Sequence, residues 1–195
     1  MPEIVKTVKL HLHADADADL LFKSMTERYV QACNEISEYT FDNGLILSSV
    51  ELQNRLYQTV REKYGLKSQL TVSAFKTVVA RYKAVETQLK QNPYRFRDGE
   101  KSYSFKRNLS WIQKPVVFRR PQADLVRNRD YSFVSGKDGN PLISVNTLEN
   151  RVKLEYDFPK CYQHYFMSSE WKLGTGKLVS LYGQWYLHIS DTCLR

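Results

Sequence analysis

Few residue patterns in this chain have the types and spacing for bond-breaking chemistry. Its 195 residues hold no glycine-rich phosphate loop, no Gly-x-Ser-x-Gly elbow, no His-Glu-x-x-His and no paired Cys-x-x-Cys. His11 and His13 stand two apart in an alternating segment, so a strand would turn both rings to one side. Cys161-x-x-His164 is the one other half-site with ligand spacing, and nothing in the sequence joins the two halves. The pair therefore reads as two solvent-facing strand histidines, with no metal expected. Asp15, Asp17 and Asp19 read as the acidic start of a helix, where unpaired backbone N–H groups favour negative charge. Cys33 falls on an apolar helical stripe and reads as a small core residue. No catalytic residue and no cofactor is expected.

Binding chemistry is better represented. Tyr94, Arg95, Phe96 and Arg97 alternate ring and guanidinium, and Tyr103, Phe105, Lys106 and Arg107 repeat the arrangement. Trp111, Lys114, Phe118, Arg119 and Arg120 continue it. Rings stack on unpaired bases, and guanidiniums pair bidentately with phosphates. Arg95, Arg97, Lys106, Arg107, Arg119 and Arg120 are thus nucleic-acid-binding candidates, with Tyr94, Phe96 and Tyr103 as stacking candidates. Trp111 and Phe118 read equally well as core residues. A second, weaker group crowds the start of the third helix: Lys67, Ser68, Gln69 and Lys76. Small polar and basic groups there suit phosphate contact, and an ordinary solvated cap accounts for them as well.

Charge supports the same segment. Lys+Arg 29 against Asp+Glu 21 gives a formal net charge of +8. Residues 91–130 hold 10 basic and 4 acidic side chains, whereas the parts before and after are each close to neutral. A localised excess of this kind is the footprint of a polyanion partner. Neutralising five or six phosphates would give a salt dependence with a slope of roughly −4 to −5.

These residues need elements to position them. Ile4 to His13 alternates as a strand. A helix then opens at the acidic run, carries a stripe through Met25, Tyr29, Cys33 and Ile36, and stops at Asn43-Gly44. A second helix is capped by Ser48 or Ser49 and ends at Gly65, and a third runs from about Ser68 to Gln91 before Asn92-Pro93. Residues 94–120 show poor periodicity, apart from a short strand at Val116-Val117-Phe118. Asp130–Val134 and Leu142–Val145 flank a hairpin loop, and Arg151–Asp157 alternates strongly. Trp171–Leu173, a turn at Gly174-Thr175-Gly176, Lys177–Tyr182 and Gln184–Ile189 read as a closing meander.

A lone first strand needs a sheet, and the sheet-forming residues lie a hundred positions later. The expected class is α+β: an OB-like antiparallel β-barrel interrupted by a helical insertion of about three helices. Its parts are 1–14, the first barrel strand; 15–93, the helical insertion; 94–120, a basic aromatic linker leading into the barrel; and 121–195, the remaining barrel strands. No apolar run approaches the roughly 18 residues of a membrane span, and three scattered cysteines do not form a disulfide framework. A cytoplasmic, nucleoid-associated protein without a membrane partner is the expectation.

The order VKLHLH, LLFKSMTERYVQACNEISEY, KSQLTVSAFKTVVARYKAV, WIQKPVVFRR, DYSF, LISVNTLENRVKLEY and GKLVSLYGQWYLHIS spans about residues 4–190. It resembles the N-terminal, wedge-plus-recognition half of the TnpB/OrfB-type transposon-encoded RNA-guided nucleases, and the matching part of compact type V CRISPR effectors. No one segment is a specific signature. The resemblance implies a wedge barrel and recognition helices that hold a structured guide RNA and read DNA beside the transposon end. It implies that Ser68, Gln69 and Lys76 lie by that duplex and that the basic segment carries RNA backbone. In the family a RuvC nuclease domain with a zinc ribbon follows the strand that WYLHIS resembles. Here Asp191 lacks the Gly-x-Asp-x-Gly setting of a catalytic carboxylate, and the sequence runs only to Arg195. The expectation is a chain that binds RNA and DNA without cutting. The alternatives are the N-terminal subunit of a split endonuclease, docking a separately encoded RuvC-like chain, or a decayed fragment without activity.

Overall fold

The computed structural model describes residues 3–162 and 171–194. It is a mixed α+β structure with three helices and ten strands in antiparallel sheets among those residues.

The first strand, β1 (Glu3–Leu12), buries Val8, Leu10 and Leu12 and exposes Val5, Thr7 and Lys9. Its partner is the last strand, β10 (Gln184–Leu194), in register from Glu3 opposite Leu194 to Leu12 opposite Trp185. β10 turns back on β9 (Trp171–Leu181), and β9 pairs with β4 (Gln122–Leu125). The two-residue β8 (Tyr156–Asp157) adds to the other edge, giving the order β4-β9-β10-β1-β8. A second sheet is β5 (Tyr131–Ser135), β6 (Pro141–Asn146) and β7 (Arg151–Leu154). Tyr131 ties the two sheets together: its ring is buried and its hydroxyl donates to Gly174 O at 2.6 Å. Among the described residues no ladder closes these strands into one barrel.

Between β1 and β4 lie the helices α1 (Ala16–Asp42), α2 (Ser49–Tyr64) and α3 (Ser68–Gln91). Local chemistry sets their ends. Asp15 Oδ1 accepts from Ala18 N at 2.8 Å, and Ser48 Oγ accepts from Glu51 N at 3.2 Å. Gly65 closes α2 at φ 61, a left-handed position that favours glycine. The buried faces of α1 and α3 (Phe22, Met25, Tyr29 and Ile36 against Ala74, Phe75, Val78 and Tyr82) join the sheet residues in one continuous core. Trp185 anchors α1 to β10: its ring meets Phe22 edge-on at 5.3 Å, and its Nε1 donates to Asp19 Oδ1 at 2.8 Å.

Three sequence expectations are corrected. Val116–Phe118 belongs to no sheet, because helix side chains occupy its backbone groups. Asn34 accepts from Phe118 N at 2.7 Å and donates to Phe118 O at 3.0 Å; Ser37 Oγ donates to Val116 O at 2.6 Å. The Tyr82 hydroxyl accepts from Val116 N at 3.3 Å. Gly174-Thr175-Gly176 is not a turn but the middle of β9. A Cβ at Gly176 would stand 2.9 Å from Leu187 and 3.1 Å from Tyr131, and one at Gly174 2.7 Å from Ser190 Oγ, so these glycines serve close approach. The reversal falls instead at Tyr182-Gly183, both at positive φ. Finally, residues 94–105 are a regular hairpin, β2 (Tyr94–Asp98) and β3 (Lys101–Phe105), not aperiodic linker.

Candidate nucleic-acid interface

All ten strand residues of the β2–β3 hairpin are exposed. Strand alternation sorts them by chemistry. Tyr94 pairs with Phe105 and Phe96 with Tyr103, so four rings share one face, while Arg95 and Arg97 take the other opposite Ser104 and Ser102. Phe96 lies nearly parallel to Tyr103, with centroids 4.9 Å apart, and to Phe105 at 5.9 Å. Trp111, in a short 3-10 turn, extends the row from Tyr94 at 5.9 Å. Trp111 is 47 % exposed, which corrects its reading as a core residue; Phe118 is half-buried against the core. The base of the hairpin is pinned by Arg107, whose Nε donates to Asn92 O at 2.6 Å.

Trp111 also opens a groove. Its first stretch is lined by Arg81, Trp111, Lys114 and Arg119, with the clamped segment 115–117 as one wall. The groove continues past Arg119 and Arg120 along Thr77, Ala80, Arg81 and Ala84 of α3. It ends between α3 and the sheet, where Lys76, Lys177 and His188 meet. Adjacent stretches share lining residues, so the three lie end to end. The α3 positions recur at three- and four-residue spacing, and their small side chains leave the groove open. Among the described residues Asp124 is the one acid on it. Its carboxylate accepts from Thr77 Oγ1 at 2.5 Å and lies 3.5 Å from Lys177 Nζ, so it offsets that lysine. Burial, with Lys9 and Lys177 nearby, lowers the pKa of His188 and favours a neutral ring. Its buried Nε2 has no hydrogen-bond partner among the described residues.

The structure separates the sequence candidates. Arg119, Arg120 and Lys76 line the groove, while Arg95, Arg97 and Lys106 are exposed on and beside the hairpin. Lys67 and Gln69 instead join α3 to the second sheet: Lys67 Nζ donates to Asn146 Oδ1 at 2.9 Å, and Gln69 Oε1 accepts from Arg129 Nη1 at 2.8 Å. Burial, then Arg151 nearby, lowers the Lys67 pKa. Ser68 is exposed at the helix start. Arg81, Lys114 and Lys177 complete the groove; Lys114 belongs to the basic–aromatic run, while nothing in the sequence pointed to Lys177. The signal for Arg81 was its place on the small-residue stripe of α3.

Cys33 is buried and its pKa is driven up by desolvation, as a core thiol requires. His164 lies outside the described residues. His11 and His13 are not merely solvated: both bond Asp157, a residue the sequence did not single out. No helix among the described residues is long and apolar enough to cross a membrane. No protein-family model matches the chain, and a comparison with curated proteins finds no relative.

Proposed function

We propose that this protein binds RNA, with the strand's backbone along the α3 groove and unpaired bases on the hairpin rings. The observation that carries this reading is the junction at Trp111. One side chain there belongs both to an exposed aromatic row and to a groove whose charged lining is basic apart from Asp124. Stacking surfaces joined to a cationic track are the arrangement single-stranded and looped RNA requires.

The finer reading takes the two larger sheets as parts of an OB-like wedge, the helices as a recognition lobe, and the ligand as a structured guide RNA with transposon-adjacent DNA. It rests on the order of segments quoted from the sequence and on the α+β architecture, with β1 joined to a sheet formed by residues far downstream. In this reading the protein binds and does not itself cut. The test is to isolate the protein from cells carrying its locus and sequence the RNA bound to it. One discrete, folded RNA from the flanking transposon end is the expected result. A mixture of ribosomal and transfer RNA would discard the guide-RNA reading, and absence of RNA would discard RNA binding itself.

A further inference from the structure

At the edge of the main sheet, β1 and β8 bring together three metal-ligating side chains. Leu12 points into the core, so its neighbours His11 and His13 both leave β1 on the opposite side. β8 sets Asp157 directly across from His11. The backbone N–H of His13 donates to Glu155 O at 3.0 Å, which holds the residue after β1 beside the one before β8. Asp157 then lies between the rings: His11 Nδ1 is 2.9 Å from Oδ2, and His13 Nε2 is 3.0 Å from Oδ1. One ligand atom from each of the three side chains lies within 4.8 Å of the others.

Ligand atoms about 2.0–2.1 Å from one metal ion stand roughly 3 Å apart in tetrahedral or octahedral geometry. Each ring nitrogen already has that spacing to one of the two carboxylate oxygens, and all three ligand atoms lie within 4.8 Å, so the rings must close further to share one ion. Two imidazoles and one carboxylate suit zinc and its first-row neighbours better than magnesium or calcium, which prefer all-oxygen sites. We propose that His11, His13 and Asp157 bind one divalent first-row transition ion, of the zinc class, with its remaining coordination positions open to solvent. The partial exposure of all three side chains and the cleft beside the histidines, flanked by Gln184 and Trp185, leave room for water ligands. The ion would also brace the sheet edge. β8 pairs with β1 at only two residue pairs, and a shared ion would fasten it there.

The experiment uses the full chain without a histidine tag, freed of metal by chelation and titrated with cobalt(II) and then zinc(II). The expected result is one cobalt per chain with visible absorption bands, displaced by zinc, and a rise in melting temperature on zinc addition. Replacement of an outer-shell partner commonly lowers metal affinity 10–100-fold, so His13→Ala and Asp157→Asn should each lower it by at least about tenfold. Asp157→Asn keeps the shape of the side chain and tests the site even if His13→Ala disturbs β1. Absence of saturable cobalt binding, cobalt–thiolate absorption in the near ultraviolet, or wild-type affinity in Asp157→Asn would each overturn the proposal.

Discussion

Replacing Arg81, Arg119 and Arg120 together by alanine should change the salt dependence of RNA binding more than any other property. All three side chains are exposed and line the groove, so the fold should be affected only slightly, by about 0.5 kcal/mol per site or less. The groove's cations are Lys76, Arg81, Lys114, Arg119, Arg120 and Lys177. Asp124 lies 3.5 Å from Lys177 and offsets it, which leaves five to neutralise phosphates. For single strands the slope of log affinity against log salt is about −0.7 per phosphate, so the wild type should show about −3.5 and the triple variant about −1.4. Between 50 and 200 mM salt the wild type should then lose affinity about 130-fold and the variant about 7-fold. Fluorescence anisotropy with a labelled single-stranded RNA at four salt concentrations measures both slopes. Circular dichroism and a thermal melt establish that the variant is folded. Equal slopes from two equally folded proteins would refute the groove as the phosphate track, whatever the absolute affinities.

Two further outcomes follow from the geometry. Alanine at Tyr94, Phe96 and Tyr103 should weaken single-stranded RNA binding by about 1–3 kcal/mol per stacked base and leave the salt slope in place, because rings release no counterions; a changed slope with unchanged affinity at low salt would contradict stacking. Asp191→Asn should stabilise the fold at neutral pH by about 1–3 kcal/mol, since Asp191 is fully buried and, among the described residues, neither carboxylate oxygen has a partner with good hydrogen-bond geometry. Desolvation raises its folded pKa above the usual carboxylate value, against smaller opposing effects of the Thr192 amide and Arg127. The folded state then holds the proton more tightly, so wild-type stability declines as pH rises from the unfolded pKa through the folded one, and the decline is complete above it. Urea titrations from pH 3 to 8 should find the variant's advantage largest at the alkaline end and smallest at the acid end. A constant difference would sink the assignment.

How much of this was legible in the sequence depends on the range of the interaction concerned. The three helices were, almost to the residue, because Asp15, Ser48, Gly65 and Asn92-Pro93 act on their own neighbours. That β1 must find a distant sheet was legible too: its alternation demanded one, and no other candidate strand stood near. The basic–aromatic run was visible as composition, but its regular hairpin was not. Every strand position is exposed, so the usual contrast between buried and solvated residues is missing, and the traces left were the ring-and-cation alternation and Asp98-Gly99 at the turn.

What only the tertiary structure decided has a common cause. Val116–Phe118 has strand-forming residues, yet Asn34 and Ser37, about 80 positions earlier, take its backbone groups first. Gly174 and Gly176 look like a turn until Ser190, Leu187 and Tyr131 press against them. Arg81 meets Arg119 across the groove, and His11 meets Asp157 across 146 residues of chain. Short-range preference fixes caps, turns and periodicity. Which side chains share a groove or a ligand depends on how two distant surfaces pack, and no local pattern encodes that.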